Sequence, residues 1–186
     1  LPQAGQSSID MTWLRLCIFA LVSASLMNLL GKPLAGKIVV SKSARSMTVY
    51  DAAGRPLKTY TVLIGEAGVG PKRQEGDRTT PEGEYFVCFK NPQSRFHLSL
   101  GLSYPNEADA RRGLAAGLIN EEEYRLIIEA NKQKKIPPWK TALGGEIFIH
   151  GESSENTTAG CIAVSDREIE EIFPLVELGT PVIITP

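Results

Sequence analysis

The sequence predicts a mainly β domain carrying helical insertions, α+β overall, and three observations predict it. Residues 37–65 alternate apolar and polar side chains between turn residues, the pattern of a β-meander. Two stretches between residues 106 and 135 open on Asn and keep apolar side chains at helical spacing. Residues 147–165, IFIHGESSENTTAGCIAVS, read as two short apolar strands joined by a polar loop. The chain has 186 residues, 42% hydrophobic and 22% charged, which suits one globular domain plus an appendage. A net charge of −1 gives no electrostatic reason to invoke nucleic acid. Three cysteines without a CxxC pair suggest neither a disulfide framework nor a ribbon-type zinc site.

In chain order, residues 1–10 are polar and read as an upstream extension. Residues 11–35 have the pattern of an export signal or short anchor. Arg15 supplies the charge, Leu16 to Leu30 the apolar run, and Lys32-Pro33-Leu34-Ala35-Gly36 a polar end with small residues. The run is shorter than the ~20 apolar residues of a spanning helix and is broken by Ser23, Ser25 and Asn28, so a cleaved signal is the better fit. The remainder, residues 36–186, is of a size for one domain. Strands are expected at Ile38-Val39-Val40, Ser46 to Tyr50 and Lys58 to Ile64, with Asp51-Ala52-Ala53-Gly54 as the turn between the last two. Residues 65–83 are rich in Gly and Pro and end in Gly76-Asp77-Arg78-Thr79-Thr80-Pro81-Glu82-Gly83, a structural loop by its residue types. Lys72, Arg73 and Arg78 are expected to be solvated there.

Glu84 to Lys90 is an aromatic and β-branched strand, with Cys88 a buried, inert thiol inside it. Asn106 caps a helix from Glu107 to Ala116, and Asn120 with Glu123 opens a second from Glu121 to about Lys134. Its face of Tyr124, Ile127, Ile128 and Asn131 is expected to pack on the core, a flap over a substrate being the alternative. Ser165 and Glu168 form a capping box for a helix through Phe173, and Val182 to Thr185 is the last strand.

The chemistry concentrates in the strand–loop–strand unit. It brings His150 and Cys161 side by side, as thiol catalysis requires. A free thiol, of pKa about 8.5, is little ionised at neutral pH until a base acts on it. Gly160 permits close backbone approach and leaves nearby N–H groups, those of Gly160 and Cys161, to hold an oxyanion. His150-Gly151 followed by Thr158-Ala159-Gly160-Cys161 resembles the active-site signature of the L,D-transpeptidase (YkuD-like) family of bacterial cell-wall enzymes. The Gly76–Gly83 run resembles its second signature, and His before Cys is the reverse of the papain-like order. Residues 91–105 resemble a segment of an exported Gram-negative murein branch of the family. The sequence departs from the family pattern in an interval of eleven positions between His150 and Cys161, and in Ala163 where an Arg commonly follows.

The resemblance covers nearly all of residues 37–186 and implies a β-sandwich or barrel catalytic domain. It implies cleavage of the bond between diaminopimelate and the terminal D-alanine of a peptidoglycan stem tetrapeptide, in the periplasm or cell envelope. Cys161 would be the nucleophile and His150 the base. Thr158 and Gly160 would shape the catalytic loop, while Gly151, Ala159, Arg95 and His97 would contact substrate. Neither cofactor nor metal is required, and a zinc site from His97, His150 and Cys161 is the weakest reading. The partners implied are stem peptides and, for some acceptors, a wall-linked lipoprotein. An amine acceptor gives transfer and water gives hydrolysis. A sortase-like transpeptidase and a silent wall-binding domain are the readings from other classes.

Overall fold

The computed structural model describes residues 34–151 and 157–186. The expectations for residues 1–33 lie outside the described residues. Eight strands make one sheet: β1 (Ala35–Ser41), β2 (Ser46–Asp51), β3 (Pro56–Thr61), β4 (Gly83–Ser94), β5 (His97–Leu102), β6 (Phe148–His150), β7 (Ile162–Ala163) and β8 (Pro181–Thr185). The helices are α1 (Glu107–Ala115), α2 (Glu121–Lys132) and α3 (Asp166–Ile172), the last continued by a 3₁₀ turn at Phe173–Leu175. The domain is thus mainly β with helices inserted, as the sequence predicts.

The strand order is β3-β2-β1-β8-β4-β5-β6-β7. The last strand of the chain therefore sits mid-sheet, parallel to β1 (Ile38 beside Val182) and antiparallel to β4 (Tyr85 beside Val182). The sheet curls into a half-barrel until its two ends meet. Beyond β3, Leu63 and Ala163 exchange both backbone hydrogen bonds at 2.9 Å, and Thr158 N–H donates to Ile64 O at 3.0 Å. The sequence reading ran the third strand to Ile64. Strand β3 instead ends at Thr61, because the next residues leave β2 to pair with the site segment.

Alternation decides the core. In β1 and β2, Ile38, Val40, Met47 and Val49 are fully buried while their neighbours are not. They pack with Val87, Leu100, Leu102, Ile149, Ile162, Val182 and Ile184. Ile169 and Ile172 of α3 enter the same core, each contributing about 1.5–3 kcal/mol by leaving water. Helix α3 starts as its sequence demands: Ser165 Oγ accepts from Glu168 N–H, and the Glu168 carboxylate accepts from Ser165 N–H. Helices α1 and α2 also begin with capping boxes, at Asn106 with Asp109 and at Asn120 with Glu123. They form a second core of Ala110, Ile119, Ile127 and Leu143. Strand β5 lies in residues 91–105, to which the sequence reading assigned no strand; its pattern His-Leu-Ser-Leu-Gly-Leu has no strong β-former on one face. Among the described residues, no helix is long and apolar enough to cross a membrane.

Candidate active site

Pairing places His150 and Cys161. Strand β6 runs parallel to β7 with Ile149 beside Ile162 and His150 beside Ala163. Ile149 and Ile162 are fully buried in the core, so alternation sends His150 and Cys161, which immediately precedes β7, to the opposite face. There they are diagonal neighbours, close enough for side chains to meet. Both line one cleft of about 970 Å³, with Arg95, Phe96, His97, Glu146 and Asp166 among its walls.

His150 is only 4% exposed and is held on two sides. Its Nδ1 lies 2.7 Å from Gly151 O, which can only accept, so Nδ1 carries the proton and Nε2 is left as the basic nitrogen. Its ring stacks on Phe96, with centroids 4.4 Å apart and planes at 23°. Burial pushes the His150 pKa down, the Gly151 carbonyl opposes this, and the nearby Arg95 charge adds to it. Cys161 Sγ donates to Glu146 O at 3.6 Å. Burial pushes its thiol up, against the Phe148 backbone N–H and the charges of Arg95 and Lys72. The resting pair is therefore neutral thiol and neutral imidazole.

The loop before Cys161 is clamped. Thr158 Oγ1 donates to Cys161 O at 2.7 Å and accepts from Gly160 N–H at 3.1 Å. Gly160 has φ +132°, and a Cβ there would lie 3.0 Å from Thr79 O, so glycine is required. The Gly160 N–H, expected to be free for an oxyanion, is engaged by the Thr158 hydroxyl. Gly151 is required for another reason: a Cβ there would lie 2.5 Å from Asp166 Oδ1 and 2.8 Å from Ile169 Cγ2, at the start of α3. Ala159 lines the cleft and is exposed.

The Gly76–Gly83 run supports this loop from behind. Thr80 Oγ1 donates to Cys161 O at 3.2 Å and accepts from Gly65 N–H at 2.8 Å. Asp77 gathers Lys72 Nζ at 2.7 Å and the N–H groups of Arg73, Gln74 and Thr79. Burial pushes the Asp77 carboxyl up, but these donors outweigh it and leave it below its ordinary value. Lys72 is therefore 4% exposed and paired rather than solvated, and Arg78 pairs with Glu66. Lys42, fully buried just past β1, donates to Glu82 Oε1 at 2.9 Å, to Thr80 O at 2.7 Å and to Gly70 O.

Of the other sequence candidates, Arg95 and His97 occupy the β4–β5 turn and line the cleft. His97 Nε2 meets Glu170 Oε1 at 2.8 Å, which ties it to α3. Cys88 is a free, buried thiol bonded to Gly101 O and pushed up to about 12 by burial. The cleft walls come from neither α1 nor α2. Sequence reasoning missed Lys42, Thr80 and Phe96 as parts of the site. Thr80 alone had a signal, its place in the Gly-Asp-x-x-Thr-Pro run.

The chain matches the family model of YkuD, the L,D-transpeptidase catalytic domain, over residues 35–184. It belongs to the L,D-transpeptidase catalytic domain family. Among curated relatives, it is 26% identical over 154 residues to the provisionally named L,D-transpeptidase YafK of Escherichia coli (strain K12), covering 80% of this chain and 49% of YafK. The chain thus spans about half the length of the curated relatives it matches. Two solved structures share the fold of this L,D-transpeptidase domain. The helical cell shape determining protein Pgp2 of Campylobacter jejuni (K307A mutant) gives a TM-score of 0.57 at 22% identity, covering 82% of this chain and 47% of that one. Bd1075 of Bdellovibrio bacteriovorus gives 0.52 at 23%, covering 81% and 48%. In this L,D-transpeptidase domain, Ala163 is buried at the closure of the half-barrel, exchanging hydrogen bonds with Leu63.

Proposed function

We propose that this domain is a cysteine-dependent L,D-transpeptidase acting on peptidoglycan stem tetrapeptides, exported to the cell envelope by residues 11–35. The observation that carries this reading is the shared cleft of Cys161 and His150, with Nδ1 of His150 tied to Gly151 O so that Nε2 is the available base. The Cys161 thiol proton passes to His150 Nε2 while sulfur attacks the carbonyl carbon between diaminopimelate and D-alanine. The carbonyl oxygen becomes an oxyanion. Cys161 N–H is the first donor to it, and Gly160 N–H joins when it turns away from Thr158. Each such donor contributes about 3 kcal/mol by analogy with other acyl-transfer sites. As the C–N bond breaks, the imidazolium returns its proton to the departing D-alanine amine, leaving a thioester on Cys161.

An acceptor then attacks the thioester, with His150 again taking the proton. An amine of a second stem gives a cross-link, an amine of a lipoprotein gives attachment, and water gives a tripeptide. Ala159 borders the substrate, Gly151 is buried against α3 and lets the chain leave His150 tightly, and Thr158 with Thr80 fixes the carbonyl of the nucleophile.

Mass spectrometry of disaccharide-tetrapeptide incubated with the full chain tests the reading. Loss of D-alanine with a dimeric product is expected. Tripeptide alone would assign the hydrolytic alternative, and an unchanged substrate would contradict both.

A further inference from the structure

We propose that Arg95 reads a free carboxylate on the acyl-donor peptide, so that the cleft accepts donors with that carboxylate next to the scissile bond and discriminates against amidated ones. This rests on the stem-peptide reading above and adds to it the group that is recognised.

Arg95 occupies the tip of the β4–β5 hairpin, where Ser94 pairs with His97 and leaves only two residues in the turn. Its guanidinium lies over the Phe96 ring, with Cζ 4.6 Å from the centroid. Phe96 stacks in turn on His150 at 4.4 Å. Phe96 thus touches both the guanidinium and the proposed base. Stacking on a ring fixes a guanidinium without neutralising it.

Among the described residues, Arg95 has no ion pair or hydrogen bond, whereas His97, which also lines the cleft, is committed to Glu170. Among the described residues, the acidic walls of the cleft are Glu146 and Asp166. Arg95 is thus the uncommitted cation that the described walls offer to an entering anion. The fork of Arg95 offers the bidentate geometry a carboxylate takes. Arg95, Cys161 and His150 line one cleft, so a carboxylate held by Arg95 sits in the cleft that receives the scissile bond. The action of the Arg95 charge on both the Cys161 thiol and the His150 ring is in keeping with this.

A stem tetrapeptide carries such groups on both sides of the scissile bond. The terminal D-alanine carboxylate lies two bonds from the leaving nitrogen, and the diaminopimelate side chain ends in another.

Calorimetry on the full chain in a Cys161→Ala background, which binds without turnover, separates them. The ligands are the disaccharide-tetrapeptide, its D-alanine amide, and the form amidated on the diaminopimelate side chain. The free acid is expected to bind about 10- to 100-fold more tightly than one of the two amides, which identifies the carboxylate. Arg95→Ala should erase that difference and leave the affinity for the discriminating amide unchanged. Arg95→Lys, which keeps the charge but not the fork, should restore part of it. Equal binding of all three ligands, or a preference that survives in Arg95→Ala, overturns the proposal. Carboxylate preference in a protein whose Cys161 form cleaves nothing would uphold Arg95 and defeat the acyl-transfer reading. Absence of binding to all three defeats both.

Discussion

Replacing His150 by Gln is expected to lower kcat/KM by about 10²- to 10⁴-fold while leaving the melting temperature nearly unchanged. Gln keeps an amide N–H that can reach Gly151 O and a flat end that can lie on Phe96, so the packing survives. What it lacks is the basic Nε2. The pH profile carries the sharper signature. Burial holds the His150 pKa below its ordinary value, so the ring is already neutral at pH 7. Activity that needs a neutral base is lost as pH falls through that depressed pKa, giving an acid limb below the ordinary imidazole range. The variant should lose this limb and gain rate only at alkaline pH, as the thiol ionises unaided. Because burial raises the Cys161 thiol, that rise should come above the ordinary thiol range. A variant with the wild-type acid limb would show that another group is the base.

Lys42→Met is expected to destabilise the domain by about 3–5 kcal/mol, the range for removing one partner of a buried ion pair. The ammonium is fully buried and satisfies Glu82 and the carbonyls of Thr80 and Gly70 together. Met fills much of the same volume and removes the donors, leaving two carbonyls and a largely buried carboxylate without their cation. At about 2–4 °C per kcal/mol for a domain of this size, the melting temperature should fall by roughly 10 °C. Activity should fall as well, because the Gly76–Gly83 loop that Lys42 secures carries Thr80, whose hydroxyl holds the Cys161 carbonyl. Thermal and urea melts check the first effect. A melting point within 2–3 °C of the wild type would mean that the Gly-rich loop is held by other contacts.

These two cases also divide what the sequence discloses from what it does not. His150 and Cys161 were legible because their neighbours are: Ile147 to Ile149 and Ile162 to Val164 are apolar strand formers, and a short connection forces them together. The helices were legible because their capping residues, Asn106, Asn120 and Ser165, act within four residues of themselves. Lys42 was not, because a lysine after a strand normally reaches solvent, and its partners lie 28, 38 and 40 positions away. The closure through Leu63 and Ala163 was hidden for the same reason, since it joins opposite ends of the sheet. Phe96 carried no signal, because only the pairing of β5 with β6 brings it over His150. Lys72 read as a solvated loop cation, but the local donors around Asp77 fold the loop inward and bury the pair.

The central claim is that Cys161 carries the acyl group. Intact-protein mass spectrometry after acid quenching of the full chain with disaccharide-tetrapeptide tests it most directly. The expected result is an adduct on Cys161 equal to the donor less D-alanine, absent from Cys161→Ala along with D-alanine release. D-alanine released equally by Cys161→Ala, or an adduct mapped to another residue, would contradict the account.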